Sequence, residues 1–506
     1  MSYTELRQRL SVVNDFQCQR IGAYILVTLV SAATAFILIK SESLIATSAF
    51  VVALAVVFLT LYRVDWGFYI FFGMVLLFDQ FYPFQLDPIT SRVHYFWNLK
   101  QLPYLPHFSA GVMNPLGLQL LLLFMSWLLS VSTRRQNRLQ HVFNWGIALI
   151  FLLSVAGWLG YGLHEGGIFL RALWEIRALF YFGFLFFLVP QIIQTKKQIK
   201  NIVWIAIIIM TIKALQGIQN YASLGFTFGN YTCLTNQEDP VFMNVQRTTM
   251  IWLMLPMVMG YMTGQRRAAF AGFFVSLFAL FILLPGDKRR KLLKPLLPLL
   301  GVFAIYCAVF WNDAGGRLGL PVQMIKSGIF ENSRSESGAR YDSNLYRLEE
   351  EYDIAQTIRT KPIQGIGFGV KYDQPIHLPP IPFPLRAWIP HNEILWVMLK
   401  MGSAGFFIFW LFMDLLIFRG VMVFQEIDDP YLKAVCAAVI VAVINQMVVS
   451  YFDLQLTFYR NMVFLGTMVG LLPTISAIGK ARKKENSRKD SLHFEEPEFV
   501  DQQGVE

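Results

Sequence analysis

Three features between positions 340 and 393 could do chemistry: Arg347, the run Gly365-Ile366-Gly367-Phe368-Gly369, and His391-Asn392-Glu393. An arginine stays charged in any environment and binds phosphate or carboxylate through two parallel hydrogen bonds. Alternating glycines permit φ > 0 and let a ligand come close to the backbone, and the same pattern also makes a tight turn. No strand–helix unit surrounds this run, so it is not the dinucleotide-binding fingerprint. Histidine titrates near neutral pH and can take a proton from a hydroxyl. At a membrane–water boundary it can equally be an interfacial residue.

The flanking sequence says what must position these groups. Asp342-Ser343-Asn344 offers a helix N-cap. Leu345, Leu348, Tyr352, Ala355 and Ile358 then recur at helical spacing as one apolar stripe, and Pro362 ends the helix. Such a helix is expected on the membrane-facing surface of the protein. Arg347 is off the stripe, either pointing into a polar cavity or paired with Glu350 or Glu351 at helical spacing. Pro375, Pro379, Pro380, Pro382, Pro384 and Pro390 keep the following stretch extended and deliver it to His391. Proline is tolerated in a first helical turn, so the next helix is expected to start at Pro390, with His391 in that turn.

Composition sets the class. Of 506 residues, 55% are hydrophobic and 15% charged, against roughly 45–50% and about 25% in soluble domains. Much of the exterior must therefore face lipid, which excludes a soluble enzyme, a nucleic-acid-binding protein and a disordered chain. The net charge of +10 sits in short clusters between apolar runs, as in membrane loops. Cys18, Cys233, Cys307 and Cys436 are far apart, so neither a disulfide framework nor a zinc site is indicated.

A helix needs about 20 apolar residues to cross a bilayer. Thirteen runs are candidates, at 21–39, 44–62, 66–82, 112–131, 142–162, 178–194, 201–221, 241–263, 268–285, 295–311, 393–418, 432–451 and 458–476. The polar, arginine-bearing segment before the first is too long for a signal peptide, so an uncleaved first helix is expected. Basic clusters mark cytoplasmic ends. They occur at 134–138, 196–200, 288–291 and 480–484. Counting forward puts the first two inside and the third outside, whereas counting backward from a cytoplasmic tail does the reverse. One run is therefore miscounted, and 223–263 is the suspect. The connection 312–390 has nine basic and nine acidic residues, so its side follows from its neighbours. The basic cluster one span before it and the tail three spans after it both place it outside the cytoplasm.

The expected organisation is a cytoplasmic segment 1–20, an N-terminal transmembrane bundle 21–311, the extracytoplasmic loop 312–390, C-terminal transmembrane helices 391–478 and a disordered cytoplasmic tail 479–506. The fold class is all-α: a polytopic bundle of about 12–14 spans with one long loop carrying an amphipathic helix.

Arg347, Ala355, Ile358, Pro362, the glycine run and His391-Asn392 together resemble the O-antigen ligase and O-antigen polymerase superfamily. There, an arginine stands fifteen residues before a proline, as Arg347 does before Pro362. A Gly-x-Gly-x-Gly turn follows, and His-Asn opens a helix. Gln265-Arg266-Arg267-Ala268-Ala269 resembles a second family element, and Glu238-Asp239 a third. The likeness covers residues 230–420. Two departures stand out. The family usually has an aromatic four residues after the arginine, where this chain has Glu351, and Pro240 to Gly264 has room for about one span where the family fits two.

The resemblance implies a metal- and cofactor-independent glycan transferase of the bacterial inner membrane. Its donor would be an undecaprenyl-diphosphate-linked glycan and its acceptor a hydroxyl on lipid A core, a glycan or a protein; no nucleic acid is involved. Arg266 or Arg267 from one side, and Arg347 or Arg340 from the other, would clamp the diphosphate. His391 would act as general base, and Gly365, Gly367 and Gly369 would allow close backbone approach. Trp388, Tyr372 and Tyr341 could face sugar rings or anchor at an interface. Alternative readings are a polysaccharide flippase, or a non-catalytic component of an export system. The first would need repeats and intramembrane charges. No repeat is visible, and charges concentrate at span ends apart from Lys213 and Asp414.

Overall fold

The computed structural model of the protein describes chiefly residues 44–80, 89–101, 112–132, 140–223, 267–312, 338–379 and 385–493. The described residues contain helices and no strand. In chain order these are α1 (Leu44–Tyr62), α2 (Val64–Leu77), the short α3 (Ile89–Arg92), α4 (Pro115–Ser132), α5 (Trp145–His164), α6 (Phe169–Ile192) and α7 (Lys196–Ser223). There follow α8 (Arg267–Leu283), α9 (Gly286–Val309), α10 (Gly338–Thr360), α11 (Glu393–Glu426), α12 (Pro430–Phe452) and α13 (Tyr459–His493). Eight of these helices are long and apolar enough to cross a membrane, and three shorter apolar ones accompany them. The protein is an all-α polytopic membrane bundle. The expected run at 241–263 lies outside the described residues, as do all but three residues of 21–39, the cluster at 134–138 and the pair Glu238-Asp239.

The chain forms two compact units. In the first (Met1–Ile70 and Trp97–Ser126), α1 meets the start of α2 across a tight junction at Arg63. A Cβ on Gly67 would come within 2.6 Å of Thr60, so only glycine fits there. Ser126 Oγ donates to the Thr60 carbonyl at 2.8 Å.

The second unit (Phe71–Phe96 and Trp127–Glu506) is built on α6 and α13, the most buried of the candidate spans. Gly466 and Gly470 lie four residues apart on α13. A Cβ on Gly466 would meet the Phe182 backbone at 2.9 Å, and one on Gly470 would meet Val189 at 2.7 Å. Without water to drive helices together, such small residues let backbones approach and pack. Phe151, Phe182, Phe409 and Phe412 fill the space beside them, with ring centroids 5.2–6.3 Å apart.

Charge inside the bundle is more extensive than the sequence reading held. Lys213 does not stand alone: its Nζ bonds Asp79 at 2.7 Å, and Asp79 also accepts from Thr90 Oγ1 at 2.6 Å and faces Arg460 at 3.7 Å. Glu175 and Lys400 form a second buried pair at 2.9 Å. Asp79 lies just past the end of α2 and Glu175 on α6; each acid meets its base only through tertiary packing, which helical spacing does not reveal.

Two element boundaries need correction. The helix expected from an Asp342-Ser343-Asn344 cap starts earlier, at Gly338, so those residues lie inside α10. The tail expected to be disordered from 479 instead continues α13 as helix through His493.

Candidate functional site

His391 lies just ahead of α11, not inside its first turn. Asn392 is the N-cap: its Oδ1 accepts from Leu395 N at 3.1 Å, so the helix begins at Glu393. A capping side chain fixes the start of a helix more firmly than a tolerated proline does. Glu393 is fully buried. It takes hydrogen bonds from the backbone of Gln455, Leu456 and Thr457 and from Thr457 Oγ1, fastening α11 to the entry of α13.

The inward face of α10 holds His391 in place. Glu350 Oε2 accepts from the His391 backbone N–H at 2.8 Å and lies 3.0 Å from its Nδ1. Glu351 Oε1 accepts from Asn392 Nδ2 at 3.0 Å. The Tyr346 ring stands edge-on to the imidazole, 5.5 Å away at 83°. Burial, and then the nearby Glu350 carboxylate, push the Tyr346 hydroxyl up to about 12. Burial likewise raises Asp353, whose Oδ1 accepts from Ile376 N at 3.0 Å. The imidazole itself is 24% exposed and, among the described residues, its Nε2 has no hydrogen-bond partner.

These pairings leave Arg347 available. Its expected helical partners, Glu350 and Glu351, are engaged by the residues ahead of α11. Among the described residues Arg347 is half-buried and makes no ion pair. Arg340 lies in the first part of α10 and Arg267 begins α8, but their side chains, like Arg266 as a whole, lie outside the described residues. The site therefore brings together His391, Glu350, Tyr346 and, on the same helix, Arg347. Glu350 was readable only as a candidate partner for Arg347; nothing in the sequence ties it to a residue forty-one positions on.

The glycine run is a structural joint. α11 is broken at Gly402 (φ 61°, ψ −172°). Ile366 N and Gly367 N donate to the freed carbonyls of Leu399 and Lys400, each at 2.9 Å. Ser403 N and Ala404 N return the bond to Pro362 and Ile363. Gly365, Gly367 and Gly369 all have φ between 67° and 84°. A Cβ on Gly365 would lie 2.5 Å from Gly402 N, and one on Gly367 2.3 Å from Gly162 Cα. Protein backbone fills the approach these glycines allow. Glu175 Oε2 takes the Gly369 N–H at 2.5 Å, and Lys400 Nζ bonds the Val370 carbonyl at 2.5 Å.

The aromatic expectations also change. Tyr372 is 3% and Trp388 8% exposed, so neither presents a face to a sugar. Trp388 Nε1 donates to the Gly369 carbonyl at 2.9 Å, and Arg171 and Lys371 each stand 5.0 Å from its ring. The Tyr341 side chain lies outside the described residues. No cluster of three metal-ligating side chains occurs among the described residues.

Comparison with protein families matches residues 250–410 to the family described as O-antigen ligase. The matched stretch includes Arg266, Arg267, Arg340, Arg347, the glycine run and His391. Comparison with curated proteins gives no match.

Proposed function

We propose, from the premise that residues 250–410 carry an O-antigen ligase domain within a polytopic membrane bundle, that this protein transfers a glycan from undecaprenyl diphosphate to an acceptor hydroxyl. The observation that carries this reading is the construction of α10. One turn of that helix supplies both the carboxylate that holds His391 and an arginine without an acidic partner among the described residues. His391 Nε2 takes the proton of the acceptor hydroxyl, and the oxygen attacks the anomeric carbon. The bond to the diphosphate breaks, and undecaprenyl diphosphate leaves with the electron pair. Arg347 or Arg340, with Arg266 or Arg267, stabilises that anion through charge-assisted, bidentate hydrogen bonds, without calling on a metal. The acceptor is lipid A core, a growing glycan or a protein, and the enzyme works in the bacterial inner membrane.

A transporter would also break a helix within the membrane. Here, among the described residues, the carbonyls of Leu399 and Lys400 and the N–H groups of Ser403 and Ala404 freed at Gly402 are paired with residues 362–367, where a transporter would offer them to its cargo. The test is transfer of a labelled glycan in proteoliposomes. His391→Ala should lower the rate by about 10²–10⁴-fold while the lipid-linked donor still binds. A wild-type rate, or a variant that fails only in donor binding, returns His391 to an interfacial role.

A further inference from the structure

Glu350 is tied to His391 more closely than a neighbouring carboxylate need be. One oxygen, Oε2, serves both the His391 backbone N–H and Nδ1. The side chain is 1% exposed, and its second oxygen is buried without a hydrogen-bond partner among the described residues. Tyr346, one turn earlier, closes off an edge of the imidazole. The ring is thus fixed at its backbone, at Nδ1 and against an aromatic wall, while Nε2 is left open.

An ionised carboxylate can only accept. Facing Nδ1, it selects the tautomer with the proton on Nδ1 and the lone pair on Nε2. We propose that Glu350 is a positioning residue for glycan transfer: it holds His391 as the Nδ1–H tautomer and stabilises the imidazolium formed when Nε2 takes the acceptor proton. The inference rests on His391 being the general base. The proton moves from the acceptor oxygen to Nε2 and later leaves to solvent from the same atom. Glu350 stays ionised throughout and gains no proton. Its burial matters because a carboxylate withdrawn from water acts more strongly on an adjacent charge.

Glu350→Gln isolates the charge. The amide oxygen can still accept from the His391 backbone, so the fold around α11 is kept, but a charge-assisted bond becomes a neutral one. Charge-assisted hydrogen bonds are roughly twice as strong as neutral ones, so kcat should fall about 10-fold with the KM for the donor unchanged. The donor is undecaprenyl-diphosphate-linked glycan extracted from membranes of the native host, followed in single-turnover assays on the full-length protein in liposomes. In a His391→Ala background, adding Glu350→Gln should cost nothing further, because a residue acting through His391 has nothing left to act on. A kcat unchanged in Glu350→Gln, a change in KM alone, or losses that multiply in the double variant overturn the positioning role. If His391→Ala is inactive while Glu350→Gln matches wild type, the base survives and only Glu350 is misassigned. If His391→Ala matches wild type, the base reading itself has failed.

Discussion

Arg347 is where charge and geometry make the sharpest demand. It is half-buried on α10 without an acidic partner among the described residues, so a bound anion would be the group that satisfies it. Arg347→Ala should weaken binding of the lipid diphosphate by roughly 1.5–3 kcal/mol for each charge-assisted bond lost. Folding should barely change, since substitutions at non-packing positions shift stability by about 0.5 kcal/mol. Arg347→Lys should recover only part of the affinity, because an ammonium cannot make the bidentate fork. Arg266→Ala with Arg267→Ala should act in the same direction. Donor-binding isotherms beside thermal melts in detergent check this, and wild-type affinity in Arg347→Ala removes the clamp. The arginine and the histidine were legible as candidates from residue type and spacing. Their holder was not: Glu350 at helical spacing from Arg347 reads as its ion partner, and only the fold shows that His391 takes that carboxylate.

At the scale of elements, the joint between the glycine turn and α11 is the most constrained feature. A Cβ on Gly402 would lie 2.0 Å from the Ile363 carbonyl, at a φ of 61°. A backbone with φ 61° and ψ −172° is open essentially to glycine alone and costs a side chain about 1–3 kcal/mol, and the overlap adds to it. Gly402→Ala should therefore lower the melting temperature more than Gly217→Ala, whose Cβ meets nothing within 4 Å. Equal melting temperatures would mean that the turn does not fill the helix break. A second tie joins the same turn region to α5: Lys361 bonds Glu165 and reaches Tyr161 Oη at 3.3 Å. The Lys361 bond holds Glu165 below its ordinary carboxylate value. Its contribution is then complete above that ordinary value and is lost as pH falls through the lowered one. Glu165→Gln should melt earlier than wild type at neutral pH, and the difference should vanish in acid. A constant difference across pH would exclude the pairing. The sequence did show glycines with the freedom for positive φ; it could not show that a helix interruption at Gly402 was what they had to fit.

For the whole molecule, contacts within the second unit show which helix ends lie together, and this bears on the conflict among the basic clusters. Lys196, at the start of α7, bonds Asp429 at 2.5 Å, and Arg482, near the end of α13, bonds the same carboxylate at 3.0 Å. Gln140, ahead of α5, exchanges hydrogen bonds with Gln191 at the end of α6, which brings Gln140 to that end as well. At the opposite end, Glu165 meets Lys361, and Ile168 N donates to Gly369. Hydropathy counting could not see this, because it treats each apolar run as one crossing and has no information on which loops touch. With the Lys196 and Arg482 ends on one side, a crossing α7 ends on the other, and α8 begins there too, because Gly272 packs against Asn445 and Val449 near the far end of α12 from Asp429. The described chain then leaves at Ser223 and resumes at Arg267 on one side. The positive-inside rule makes the Lys196 and Arg482 side cytoplasmic. On that rule Lys288 is expected on the same side, and the glycine turn, His391 and α10 on the outer one. In a chain stripped of its native cysteines, His377→Cys should react with a membrane-impermeant maleimide in intact cells, whereas Lys197→Cys and Lys288→Cys should react only after the cells are opened. All three positions are exposed, so silence cannot be ascribed to burial. If Lys197→Cys and Lys288→Cys label on opposite sides, Arg267 and His391 cannot both face the donor from the side this mechanism requires.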